Sequence, residues 1–238
     1  MFNLIESKRA QLLEEAVCVF SDADWSNWSI DFSELMKIID AQDLSSQMLN
    51  AKRINILGTK QGEAFRFHPL KDCPTSNPRI VLDYCEDLID SPAIHHLAEL
   101  CINLGPRQLA SADGTRMLVE LIARRSASLQ KLPPHVDGTA CLLFLVLKNT
   151  MRGGCLNLFA ENNRIPPLVR SHHNGTEFYD ENSLHPLAKL KCEAGNGYFI
   201  YEGEAAPKRI FHGCDEWWVS EGSSGERVTL RISISRAK

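Results

Sequence analysis

The segment Pro133-Pro134-His135-Val136-Asp137-Gly138 sets an imidazole and a carboxylate two residues apart, just ahead of the apolar run Cys141 to Leu147. In an extended chain, residues i and i+2 point the same way, so His135 and Asp137 can present a nitrogen and an oxygen to one point. Another imidazole, His212, ends the expected strand Arg209 to His212. Two histidines and one carboxylate on one face of a metal ion leave its remaining positions open, an arrangement that suits non-haem Fe(II). Oxygen donors alone would favour Mg or Ca, and thiolates would favour zinc. A His-x-Asp pair is weak evidence by itself, so its surroundings carry the weight.

After His212 comes the polar loop Glu221-Gly222-Ser223-Ser224-Gly225, then the strand Arg227 to Ser235. Its period is two. Val228, Leu230, Ile232 and Ile234 form an apolar face, and Arg227, Thr229, Arg231, Ser233 and Ser235 form the opposite one. A solvated face would more often mix acids with lysines. A guanidinium with a hydroxyl two residues on suits bidentate binding of a carboxylate.

These residues resemble the Fe(II)- and 2-oxoglutarate-dependent dioxygenases, whose pattern is His-x-Asp, a distal His, and an Arg with a nearby Ser or Thr on the last strand. Here the pattern reads His135, Asp137 and His212, then Arg227 with Thr229 or Arg231 with Ser233. Asn149 to Phe159, with its Gly153-Gly154 turn and terminal Phe159, is similar to the prolyl-hydroxylase-like branch. Gly195-Asn196-Gly197-Tyr198-Phe199 resembles the turn before the strand leading to the distal histidine. The resemblance spans Met117 to Ser235, about half the chain.

It implies a mainly β chain with supporting helices, built on a double-stranded β-helix (jelly-roll, cupin-like) core with a helical N-terminal region. Fe(II) would sit on His135, Asp137 and His212, and 2-oxoglutarate and O2 would be the cosubstrates. The far carboxylate of 2-oxoglutarate would pair with Arg227 or Arg231. In much of the family this arginine follows the distal histidine more closely, and the insertion Asp215 to Glu226 leaves the choice open. Arg227, the first residue after the loop, is favoured, and taurine-dioxygenase-like members use two arginines four apart. A carboxylate at Asp137, where related halogenases carry a small residue, implies hydroxylation, desaturation or demethylation. The implied reaction is oxidative decarboxylation of 2-oxoglutarate coupled to attack on an unactivated C–H bond, making the chain an oxidoreductase and a hydroxylase.

The elements that must position these groups are legible in outline. The expected domain is single, with a helical and strand support region at 1–110, a core at 115–238, and a long loop at 160–195 holding Pro166, Pro167, Gly175 and Pro186. Asn3 is the expected cap of a first helix whose face is Ile5, Leu12, Leu13, Ala16, Val17 and Phe20. Further helices are expected at Phe32 to Ile39, Leu44 to Leu49, and Pro92 to Leu104, the last capped by Ser91 and ended by Gly105-Pro106. On that helix Ile94, Leu97, Ala98 and Cys101 should be buried, with one of His95 and His96 at the surface and the other half-buried. Such helices should pack on the outer face of a sheet. Strands are expected at Arg53 to Leu57, Ile80 to Tyr84, Met117 to Ile122, Cys141 to Leu147, Cys155 to Phe159, Tyr198 to Tyr201, Arg209 to His212 and Arg227 to Ser235.

The chain has 238 residues, 44% hydrophobic and 24% charged, with a formal net charge of −4. That excludes a disordered tail, a collagen or a coiled coil, and disfavours nucleic acid as a partner. No apolar run reaches the ~18–20 residues of a membrane span, and acidic residues near the amino terminus do not suit a targeting peptide, so a cytoplasmic protein without membrane association is expected. The eight cysteines form no CxxC pair and read as reduced core residues. Arg124, Gln130 and Trp217 are candidates for touching substrate, as are Trp218, His172 and His173 more remotely. The absence of a recruiting region favours a small-molecule substrate, such as an amino acid or natural-product intermediate. A protein or peptide side chain is the alternative, and a non-catalytic jelly-roll ligand-binding module a third reading. Oligomeric state is not encoded in any of these features.

Overall fold

The computed structural model describes residues 2–40, 51–61, 64–69, 80–83, 86–106, 115–126, 128–129, 131–173, 176–202, 209–219 and 225–235. Helix α1 (Phe2–Glu15) leads into β1 (Val17–Phe20), followed by α2 (Asp22–Asn27), α3 (Ser33–Asp40), β2 (Ala51–Gln61), β3 (Ala64–Pro69), β4 (Ile80–Asp83), α4 (Glu86–Ile89) and α5 (Pro92–Leu104). Then come β5 (Arg116–Ser126), β6 (Ser128–Leu129), β7 (Leu132–His135), β8 (Cys141–Asn149), β9 (Arg152–Gly153) and β10 (Leu156–Glu161). The chain continues through β11 (Val169–His173), β12 (Thr176–Tyr179), β13 (Leu184–Leu190), β14 (Gly197–Tyr201), β15 (Ile210–Cys214), β16 (Trp217–Trp218) and β17 (Gly225–Ser235).

Two sheets build the jelly-roll. The larger has the order β1-β14-β8-β17-β5-β2-β3, with β4 pairing β2, and the smaller has the order β11-β12-β7-β15-β10-β13. From β7 onward the chain passes repeatedly between them, as a double-stranded β-helix requires. β17 is central, paired along its length with β5 and for most of it with β8. Its apolar residues, Val228, Leu230, Ile232 and Ile234, are fully buried in one cluster with Leu12, Trp25, Leu35, Ile94 and Leu97 of the helices. The helices therefore cover the outside of the larger sheet, and the polar face of β17 is left to the interior between the sheets.

Two contacts tie the helical layer to β14 and to the turn before it. Tyr201 Oη donates to the Leu104 carbonyl at the end of α5 (2.5 Å), and Trp25 Nε1 donates to the Gly195 carbonyl (2.7 Å). Gly197 admits the Trp25 ring, since a Cβ there would lie 2.3 Å from it.

Several expectations are corrected. The first helix begins at Phe2, so Asn3 lies inside it, and it stops at Ala16, whose φ of 62° ends the helical path. Val17 to Phe20 is then a strand paired with β14, and Leu13 is 62% exposed. Helix α2 is additional to those expected. Ser91 is buried at the head of α5 but makes no side-chain cap; its hydroxyl donates to Glu34 at 3.3 Å. His95 and His96 are both exposed. The stretch 160–195 is no long loop, because β11, β12 and β13 form within it. The helix expected at Leu44 to Leu49 lies outside the described residues. Among the described residues, no helix is long and apolar enough to cross a membrane.

Candidate metal centre and carboxylate pocket

The β7–β15 ladder brings the two histidines together. His135 and His212 are direct cross-strand partners, and their ring centroids lie 4.3 Å apart. Opposed side chains on an antiparallel pair are close enough to share a ligand. Asp137, just past the end of β7, reaches both: Oδ1 lies 3.5 Å from His135 Nε2 and Oδ2 lies 3.2 Å from His212 Nε2. One ligand atom from each of the three residues falls within 4.8 Å of the others. Ligand bonds of ~2.1 Å at right angles separate neighbouring donors by about 3 Å, so a first-row metal ion fits this set with little adjustment.

The far side of each ring supports the same reading. His135 Nδ1 lies 3.0 Å from the Pro133 carbonyl, which can only accept, so Nδ1 carries the proton. His212 Nδ1 lies 2.9 Å from Glu202 Oε1. With both Nδ1 atoms engaged, both Nε2 atoms face Asp137, the orientation that metal ligation needs, and an ion would take the place of the protons they share with that carboxylate.

Charge is concentrated here. Burial alone would raise the Asp137 pKa, but hydrogen bonds from His135 and His212 and the charge of Arg231 outweigh it and hold this carboxyl well below the usual range. For His212, burial works downward, yet Asp137 and Glu202 together raise its pKa to about 9. A histidine pKa raised on folding contributes stability that is full below the unfolded value and lost as pH climbs through the folded one. The thermal midpoint of metal-free protein should therefore carry a falling contribution from His212 between pH ~6.5 and about 9. Comparison with His212→Gln across that range by calorimetry isolates it; parallel curves would remove His212 as the source. Metal binding, which needs the neutral ring, should run the other way and strengthen with pH over the same window.

The polar face of β17 lines a cavity of about 140 Å³ next to the cluster, with Arg227, Thr229 and Arg231 beside Ile122, Leu142, Phe144 and Trp217. The two arginines sit in different company. Arg231 Nη2 is 2.5 Å from Asp137 Oδ2 and its Nε is 3.4 Å from Glu120 Oε2, so it lies between two carboxylates. Arg227 is 3% exposed and pairs with no carboxylate among the described residues. It donates to the Gly154 (3.1 Å) and Gly153 (3.3 Å) carbonyls and to Asn149 Oδ1 (3.4 Å), and its guanidinium stacks 4.0 Å from the Trp217 ring. These three bonds leave part of its five-donor fork for a ligand.

Gly154 makes this seat. Its φ is +64°, and a Cβ there would fall 2.5 Å from the Arg227 guanidinium. Gly154→Ala should displace that side chain and weaken any carboxylate ligand roughly 10-fold with little change in metal affinity, the order of one charge-assisted hydrogen bond. Titration of both ligands against the variant measures it.

The structure thus gathers His135, Asp137, His212, Arg227, Thr229, Arg231 and Trp217 around one space. Ser233 is buried further along the same face, outside the cavity lining. Arg124 sits opposite Arg227 in the β5–β17 ladder, while its side chain and Gln130 fall outside the described residues. Trp218 is half exposed, and His172 and His173 are exposed on β11, an edge strand of the smaller sheet. Sequence reasoning missed Glu120 and Glu202, although each is a carboxylate within or at the end of an apolar run, where an acid is costly without a partner.

No protein-family model matches the chain, and no curated protein matches it in sequence. Its fold, by contrast, is shared with solved structures. The Fe(II)/α-ketoglutarate-dependent dioxygenase TqaL superposes with a TM-score of 0.67 at 10% identity, over 98% of this chain and 87% of that one. IDO from Bacillus thuringiensis gives 0.64 at 14% identity, over 98% and 100%. The epimerase SnoN, solved with Fe3+, α-ketoglutarate and nogalamycin RO, gives 0.52 at 13% identity, over 100% and 85%. At these identities the likeness establishes the architecture: the chain has the fold of the Fe(II)/2-oxoglutarate oxygenases, a double-stranded β-helix, with a His-Asp-His cluster inside it.

Proposed function

We propose that this protein is an Fe(II)- and 2-oxoglutarate-dependent dioxygenase that hydroxylates an unactivated C–H bond of a small molecule, such as an amino acid or a natural-product intermediate. The observation that carries the reading is the pairing of two sites in one cavity. Three convergent donors fit a metal ion, and beside them stands Arg227, a buried cation with no carboxylate partner among the described residues. A metal and a carboxylate anchor side by side are what a 2-oxo dicarboxylic acid needs at its two ends. TqaL is named for Fe(II) and α-ketoglutarate, and SnoN was solved with α-ketoglutarate, both on this fold.

In this reading His135, Asp137 and His212 hold Fe(II). The bound iron would supply oxygen activation coupled to decarboxylation of 2-oxoglutarate. The chain's own residues bind and orient. Arg227, with the Thr229 hydroxyl beside it, takes the distal carboxylate in a charge-assisted pair. Leu142, Phe144, Ile122 and Trp217 wall the cavity with apolar surface and exclude water from it. Arg231 holds Asp137 Oδ2, so that the carboxylate keeps one orientation toward the metal.

The test is succinate formation from 2-oxoglutarate under Fe(II) and oxygen, first without and then with a panel of small C–H substrates. Slow uncoupled succinate formation that one compound class accelerates, with a product heavier by one oxygen, supports the reading. No succinate under any condition from folded, iron-loaded protein points to a ligand-binding module instead.

A further inference from the structure

We propose that Glu202 is a positioning residue for the metal centre, a buried anion that orients His212 and strengthens its bond to the ion. The inference rests on the metal-site reading above.

Glu202 is 0% exposed and sits at the end of β14, directly after Tyr201. A carboxylate in such a place is costly unless both oxygens are engaged. Both are. Oε2 accepts a hydrogen bond from the Thr139 hydroxyl at 2.7 Å, and Oε1 lies 2.9 Å from His212 Nδ1. Neither Oε1 nor Nδ1 makes a hydrogen bond to any other group among the described residues, so the 2.9 Å approach of charge to ring is what each of them has. Its backbone is also held, because the Glu202 N–H donates to the Ala140 carbonyl at 2.8 Å. The carboxylate is therefore fixed from two sides, and the oxygen that Thr139 does not hold faces the ring nitrogen turned away from Asp137.

Thr139 follows Asp137 by two residues, so the segment that supplies one metal ligand also supplies the hydroxyl that holds Glu202. His135 has only a neutral acceptor, the Pro133 carbonyl, behind it. The two imidazoles are thus unequal. A full negative charge behind His212 makes it the more basic donor, and it adds an anion on the far side of the ring to the Asp137 carboxylate on the near side. Carboxylates placed behind a ligating histidine typically change metal affinity about 10–100-fold when removed.

The experiment uses Glu202→Gln, which keeps shape and an accepting oxygen but removes the charge. Co(II) is titrated into metal-free protein anaerobically, followed by its visible ligand-field bands, and the Fe(III)/Fe(II) midpoint is measured on iron-loaded protein. The expected result is affinity weaker by about 10–100-fold, altered Co(II) bands and a higher midpoint, with the circular dichroism of metal-free protein unchanged. A purely packing role would alter none of the metal readouts. Should Glu202→Gln fail to fold, Zn(II)-loaded wild type answers by NMR: His212 should carry its proton on Nδ1, with that proton well downfield of the one on His135.

Unchanged Co(II) affinity and midpoint in folded Glu202→Gln overturn the inference while leaving the metal site standing, and so does a His212 ring bound through Nδ1. Wild-type protein that binds no Co(II) overturns both this inference and the proposed function.

Discussion

Replacing His212 by alanine should abolish tight Fe(II) binding and all turnover, while the protein stays folded. The ring is one of three donors, and its loss leaves His135 and Asp137, a pair too weak to retain the ion. It also leaves Glu202 buried without the partner of its Oε1 atom, so a modest loss of thermal stability should accompany the loss of metal. Asp137→Ala should be equally damaging for iron and should leave Arg231, whose Nη2 now lies 2.5 Å from that carboxylate, with Glu120 as its remaining carboxylate partner. Equilibrium dialysis of Fe(II) or Co(II) against the variants measures both effects. Folded His212→Ala that still binds iron as tightly as wild type would remove this cluster as the metal centre.

The second large effect is expected at Arg227. Arg227→Leu should weaken 2-oxoglutarate by about 100-fold or more, the usual cost of truncating one side of a buried charge pair. Metal affinity should hold, because Arg227 touches none of the three proposed ligands. Arg227→Lys should recover little, since the stacking on Trp217 and the forked donation to Gly153 and Gly154 need a planar group. Arg231→Ala should behave differently and disturb metal binding through Asp137. The distinction is measurable as a Kd for 2-oxoglutarate against a Kd for the metal. If Arg231→Ala loses 2-oxoglutarate while Arg227→Leu does not, the two assignments must be exchanged.

Much of the site was legible because it obeys local rules. His135 and Asp137 meet through the two-residue repeat of an extended chain, and β17 separates its polar from its apolar face by the same repeat. The strand through the apolar run at Cys141 and the helix from Pro92 to Leu104 were equally plain, since burial and end signals agree in them. What lay hidden depends on long-range register. Nothing local says that His212 falls opposite His135, or that Glu202 comes to rest behind the ring. Nor does sequence show which arginine Glu120 and Asp137 enclose.

The misread segments have physical causes. Val17 and Phe20 extend the spacing of a helical face, but the chain leaves the helix at Ala16 and pairs with β14 instead. The region 160–195 looked irregular because its strands sit at the margins of the smaller sheet. Residues Arg170 to His173 of β11 are exposed, so they show no apolar alternation, and β13 tolerates Pro186 because it is an edge strand. The ladder between β10 and β13 breaks register near that proline, between Leu158 and Phe159.

The most direct test of the central claim is visible absorption of the protein with Fe(II) under anaerobic conditions, before and after 2-oxoglutarate. The account predicts a new charge-transfer band on adding 2-oxoglutarate, absent in His212→Ala and requiring far more 2-oxoglutarate in Arg227→Leu. A folded wild-type protein that develops no band at saturating iron and 2-oxoglutarate would contradict it.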